Sequence, residues 1–185
     1  MKYFILLIII LSAFNLQGQE NAKYGQVHPE APVQASDWQP LIGSCQCNSI
    51  QRNPDGTWQD TTQLLWEWKY IMEGKAVQDI TIKADGNHTS SIRQYNADSS
   101  KWYVTFFSTS FIASSPPTWE GGKVDDDIIL YKTQTAPNGM EGFYKITFSH
   151  ISEDGFDWLG EWVNPSESIR YPTWKIFCKK KEDSD

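Results

Sequence analysis

Residues 64–82, LLWEWKYIMEGKAVQDITI, constrain the fold more than any other stretch of the chain. Two apolar runs meet at Glu73-Gly74, and in the first of them Trp66, Trp68 and Tyr70 alternate with Glu67 and Lys69. Successive side chains of a strand point to opposite faces, so this spacing puts a row of large aromatics inside and the charges outside. Glu73-Gly74 supplies the turn between the runs. Such a hairpin is part of a wall around an apolar interior, and Trp102, Val104 and Phe106 repeat the pattern further along.

Turn chemistry recurs at short intervals after this hairpin and before it. It is found at Asn53-Pro54-Asp55-Gly56, Glu73-Gly74, Asp85-Gly86-Asn87, Asn96-Ala97-Asp98, Glu120-Gly121-Gly122, Pro137-Asn138-Gly139, Glu153-Asp154-Gly155 and Asn164-Pro165. The intervening segments are rich in Trp, Tyr, Phe, Ile and Thr and show no sustained helical period. An all-β chain follows: a single antiparallel up-and-down barrel of nine or ten strands, closed on itself and so without open edges. A two-sheet sandwich is the alternative, since alternation alone does not separate the two.

The amino terminus carries Lys2, then the apolar run 3–10, then small and polar residues. This is the layout of a secretory leader, too short to span a bilayer comfortably. Residues 1–18 are expected to be the leader, 19–36 a flexible polar arm, 37–181 the barrel and 182–185 an acidic tail. No cysteine sits just behind the apolar run, which argues against a lipoprotein anchor, and no second run of transmembrane length appears, so the mature chain is expected in the periplasm or outside the cell, without a membrane span. About 165 of the 185 residues then remain, enough for one domain with a real core.

Charge excludes one large class of partner. The chain has 16 Lys and Arg against 23 Asp and Glu, a net charge of −7, and phosphate binding needs a basic footprint that is missing here. Nucleic acid is not expected as a partner, and the basic run 179–181 reads as a solvated end. A monomer is expected. Asp125 to Asp127 lack the ligand spacing of a calcium loop and read as a solvated turn. His88 and His150 are isolated, His150 is expected at the surface, and no nucleophile elbow or metal-ligand spacing is present. Asn87-His88-Thr89 matches a glycosylation triplet that would be idle in a bacterial protein.

Of the three cysteines, Cys45 and Cys47 lie two apart on the first expected strand and so share a face, while Cys178 lies on the last. Buried, inert thiols are the favoured reading. Pairing of the first and last strands would instead bring Cys178 within bonding reach of one of the others.

The runs LLWEWKYIMEGKAVQD, SSIRQYNADSSKWYVTFFS, GGKVDDDI and TFSHISEDGFDWLGEW resemble an uncharacterised bacterial family of lipocalin-like, calycin-type β-barrels. The similarity spans residues 41–180 and is most specific at Gly74 to Asp79, Arg93 to Asn96 and Phe156 to Trp162. It implies one antiparallel barrel with an apolar interior and a mouth at one end, and no settled substrate. The wider lipocalin pattern opens with a glycine and, two residues on, a tryptophan. Here the glycine is Gly43 and Cys45 stands in the tryptophan's place, so Trp38 or Trp174 is expected to fill that end. The family tends to carry an acid where this chain has His150. Related nitrobindin-type barrels hold haem through a late histidine; none follows His150 here, which argues against haem, and no cofactor is expected.

An aromatic interior is either a packed core or a pocket. The buried N–H and O–H groups of Trp and Tyr need partners, which suits a semi-polar cavity. The expected ligand-binding set is Trp66, Trp68, Tyr70, Gln78, Asp79, Arg93, Tyr95, Trp102, Phe106, Trp158 and Glu161, holding a small apolar or amphipathic molecule. Arg93 and Tyr95 share a face, whereas the alternation of Phe156, Trp158, Gly160 and Trp162 places Glu161 opposite them. If Arg93 points inward it needs a carboxylate, Asp79 or Glu161. That pair is either structural or part of a clamp for an anionic ligand group. The alternatives to a carrier are a barrel enzyme in which Asp79 or Glu161 moves protons in a dry cavity, and a purely structural protein.

Overall fold

The computed structural model describes residues 24–181; the expected leader, the first part of the arm and the acidic tail lie outside them. Ten strands follow one another: β1 (Gly43–Gln51), β2 (Thr62–Ile71), β3 (Ala76–Lys83), β4 (Thr89–Asn96), β5 (Lys101–Ser108), β6 (Thr118–Val124), β7 (Asp127–Thr133), β8 (Phe143–Ser152), β9 (Gly155–Val163) and β10 (Arg170–Lys180). Each pairs antiparallel with its neighbours in sequence, and β10 returns to pair with β1, closing the barrel. The sandwich is therefore excluded, and the up-and-down reading of the turns holds. Closure removes both free edges.

The hairpin 64–82 sets the interior as its alternation requires. Leu64, Trp66, Trp68 and Tyr70 are buried along β2, and Ala76 pairs with Ile71 across a short 3-10 turn, Met72–Gly74. Gly74 has a reason beyond the turn. Its φ is +80°, and a Cβ there would collide with the backbone of Gln26 and His28, which pass directly over it.

That contact corrects one expectation. Residues 24–36 were expected in a flexible arm, but the Tyr70 N–H donates to the Tyr24 carbonyl (2.8 Å) and the His28 N–H to the Gly74 carbonyl (3.2 Å). The chain then enters a 3-10 helix, Val33–Leu41, whose Ala35, Trp38 and Leu41 are buried. The expected boundary at residue 37 falls inside this helix. Polar composition suggested an arm because only three of nine helix residues point inward, too few to register as a pattern.

The helix stoppers one end of the barrel. Trp38 stacks on Trp68 (ring centroids 5.6 Å, 18° between planes) and meets Trp102 and Phe148 edge-on at 5.9 and 5.1 Å. Trp38, not Trp174, therefore supplies the indole expected to fill this end. The Tyr70 hydroxyl donates to the Ala35 carbonyl (3.1 Å), and Trp102 Nε1 donates to Asp37 Oδ2 (3.0 Å), tying the helix to β2 and β5.

Two further expectations change. Glu120-Gly121-Gly122 is not a turn but lies within β6; the reversal falls at Asp125-Asp126, and the β5–β6 connection runs through Pro116-Pro117. A Cβ on Gly121 would collide with the Ile129 carbonyl, so this glycine permits close strand approach rather than a bend. The cysteines are not all free thiols. Cys47 and Cys178 are directly paired in the β1–β10 register and form a disulfide, which fastens the barrel seam, while Cys45 remains a buried thiol. Burial pushes the Cys45 thiol up to about 11.

Candidate functional site: a half-aromatic cavity with a buried arginine

Above the Trp38 stopper the barrel is not filled. A cavity of about 350 Å³ opens toward the end carrying the β5–β6 and β7–β8 loops. Its walls are mainly apolar: Trp66 from β2, Val104 and Phe106 from β5, Trp119 from β6, Leu130 from β7, Ile146 and Phe148 from β8, Trp158 from β9, and Trp174 and Ile176 from β10. Phe111, about half exposed, stands at the mouth against Phe106, with 6.3 Å between ring centroids.

The polar side is narrow and comes from β3 and β4. Asp79, Thr81, Thr89, Ser91 and Arg93 line it, and each strand contributes alternate residues to the interior. Arg93 is 2% exposed and Asp79 3%. Arg93 Nη2 donates to Asp79 Oδ2 at 2.8 Å, and the Ser91 N–H donates to Asp79 Oδ1 at 2.6 Å. The guanidinium carbon lies 4.2 Å from the ring centroid of Trp68 and 4.7 Å from that of Trp38. Arg93 thus forms the floor, with packed indoles beneath and the cavity above. Burial pulls its pKa down and the Asp79 charge opposes that pull; a guanidinium stays charged regardless.

Several other polar atoms around the cavity are satisfied by the protein. The Thr81 and Thr89 hydroxyls bond each other, the Tyr144 hydroxyl bonds that of Thr173 at 3.0 Å, and Trp174 Nε1 donates to Ser49 Oγ at 2.7 Å. Burial raises the Tyr144 phenol above its ordinary pKa. Lys132 lines the mouth with its ammonium 5.4 Å from the Trp119 ring centroid, and Lys83 sits 5.3 Å from that of Trp174.

The expected site residues divide into three groups. Trp66, Asp79, Arg93, Phe106 and Trp158 line the cavity together. Trp68, Tyr70, Tyr95 and Trp102 face inward but belong to the packed, stoppered end; Tyr95 lies against Trp102 with centroids 5.5 Å apart. Gln78 and Glu161 are not in the interior. Gln78 Nε2 donates to Ser90 Oγ at 3.2 Å on the outer face. Glu161, although 1% exposed, is bound by Arg170 through Nη2 (2.5 Å) and Nε (3.1 Å) on the outer side of β9, opposite Lys145. Arg93 therefore takes Asp79 and not Glu161 as its partner. Asp79 and Glu161, the two acids considered for proton transfer, do not share a cavity.

Sequence reasoning passed over Ser91, Trp119, Tyr144, Ile146 and Phe148. The last three alternate with Lys145, Thr147 and Ser149 in FYKITFSH, a strand signal as clear as that of β2. Trp119 follows Pro116-Pro117 on a strand interrupted by two glycines, where no alternation could be read. His150 is at the surface with Nδ1 2.9 Å from Asp157 Oδ2. Among the described residues no cluster of three or more His, Cys, Asp or Glu is placed to hold a metal ion, and no helix is long and apolar enough to cross a membrane.

Comparison with known proteins bears on the fold alone. No protein-family model matches the sequence, and no curated protein matches it. Among solved structures, the crystal structure of Rv2717c from M. tuberculosis is similar with a TM-score of 0.51 at 14% sequence identity, the match covering 83% of this chain and 100% of that one.

Proposed function

We propose that this protein is an exported, monomeric lipocalin-like barrel that binds one small apolar or amphipathic molecule in the cavity above Arg93. The observation that carries the reading is the cavity itself. Large aromatics pack together at the stoppered end, whereas the other end keeps about 350 Å³ free. That volume falls at the lower end of the range of about 300 to 1,000 Å³ typical of ligand sites. Apolar walls give non-directional affinity, and a short polar strip on β3 and β4 orients the guest. The leader-like amino terminus supports export.

Four tryptophans, Trp66, Trp119, Trp158 and Trp174, line the cavity and make its occupancy visible. Titration of the mature protein with short-chain alcohols, isoprenoid alcohols and aromatic acids should give saturable, one-to-one changes in indole emission for at least one class. A folded protein with no saturable response to any of them would overturn the reading. Turnover of a bound compound that disappears in Asp79→Asn would replace a carrier with an enzyme.

A further inference from the structure

The cavity wall carries several buried donors without acceptors. A guanidinium carries five N–H groups, yet the one side-chain hydrogen bond that Arg93 donates among the described residues is that from Nη2 to Asp79; Nε and Nη1 are buried without an acceptor. Two other lining side chains, Trp66 and Trp119, also have buried Nε1 donors without an acceptor. Trp38 and Trp68 have the same deficit but lie in the packed end, outside the lining. Against these donors, the Asp79 oxygens already accept from Ser91 and Arg93, and the Thr81 and Thr89 hydroxyls share one hydrogen bond. A buried donor without a partner costs free energy that a ligand oxygen would recover.

Charge points the same way. The charged groups lining the cavity are Arg93, Lys132 and Asp79, two cations and one anion, in a chain whose net charge is −7. Lys132 forms no ion pair among the described residues, and neither does Lys83 beside the mouth tryptophan Trp174. The positive excess is therefore local to the cavity and its rim, and it favours an anion over a neutral guest or a cation.

We propose, building on the carrier reading above, that the natural ligand is a small amphipathic carboxylate bound head-down, with its carboxylate on the free flanks of the Arg93 guanidinium and its apolar body against Trp66, Phe106, Trp158 and Trp174. Asp79 takes one N–H of Nη2 and holds the guanidinium in place, so the incoming oxygens meet Nε or Nη1 on either side of that bond. The cavity offers the room that about a dozen liquid waters occupy. A single medium-length chain or a small ring system fits, and a two-chain lipid does not.

Decanoate and 1-decanol separate head-group recognition from burial of the tail, because they share the chain and differ in charge. The wild-type protein should bind decanoate at least about tenfold more tightly than decanol, the equivalent of about 1.4 kcal/mol. The Arg93 side-chain Nε–H resonance should shift with decanoate and not with decanol. Arg93→Lys keeps a cation for Asp79 but loses the spare planar donors, so it should lose the preference for decanoate while still binding decanol. Equal affinity for the two ligands with an unmoved Nε–H resonance would overturn the carboxylate assignment and leave the carrier reading standing. Failure of the folded wild type to bind either would overturn both.

Discussion

Replacing Arg93 with alanine should destabilise the fold by about 3 to 5 kcal/mol, the cost of leaving a buried carboxylate without its counter-charge. The structure supports the upper part of that range. Asp79 is 3% exposed and retains only the Ser91 N–H as a donor once the guanidinium is gone. The guanidinium also lies 4.2 Å and 4.7 Å from the centroids of Trp68 and Trp38, and desolvated cation–π contacts of this kind contribute about 2 kcal/mol. For a domain of this size 3 to 5 kcal/mol lowers Tm by about 6 to 20 °C. Urea denaturation followed by tryptophan emission measures it, with an unchanged m-value showing that the midpoint reports stability. Changing both partners to apolar residues, Arg93→Met with Asp79→Leu, should restore most of the loss, because no buried charge then remains. A midpoint within about 1 kcal/mol of wild type for Arg93→Ala, the behaviour of an exposed pair, would refute the reasoning.

Three other outcomes follow from the same structure. The Cys47–Cys178 bond closes a loop with 131 residues of sequence separation, so Cys178→Ala should cost up to about 5 kcal/mol by chain entropy; peptide mapping without reduction should find Cys47 linked to Cys178 and Cys45 alkylated only after unfolding, and a linkage through Cys45 would contradict the register. Hydrogen bonds from Lys145 and Tyr131 hold the Glu167 carboxyl below its ordinary pKa, so its contribution to stability is present above the unfolded value of about 4.3 and is lost as pH falls through the folded value; Glu167→Gln should flatten the acid limb of the stability profile, and an unaltered limb would remove this group from the account. Trp66→Ala should weaken ligand binding while Trp119, Trp158 and Trp174 still report what binds, whereas Trp68→Ala, beneath the cavity floor, should leave ligand affinity in place and lower stability by about 3 to 5 kcal/mol; the reverse pattern would misplace the floor.

Much of this molecule could be read from its strand periodicity. The alternation in β2 and β5 put Trp66, Trp68, Tyr70, Trp102 and Phe106 inside, and all five are inside. What periodicity does not give is height along the barrel axis. Trp68 and Trp102 share a face with Trp66 and Phe106 but sit lower, where the 3-10 helix fills the space, and that helix has no amphipathic signature to announce it. Glu161 shows a second limit. Its opposite parity to Trp158 was legible, but its burial comes from Arg170 and the β9–β10 loop covering the outer face, so depth there does not mean cavity. The disulfide needed the β1–β10 register, a contact between chain ends that no local pattern encodes.

The central claim, that the space above Arg93 is kept open for a guest, is tested most directly by native mass spectrometry of the protein purified gently from its own host. The account predicts a one-to-one adduct of low mass that is absent from Val104→Phe, a variant whose larger side chain occupies the cavity. A bare chain in both proteins, with no adduct formed when decanoate or decanol is added in excess to the wild type, would contradict it.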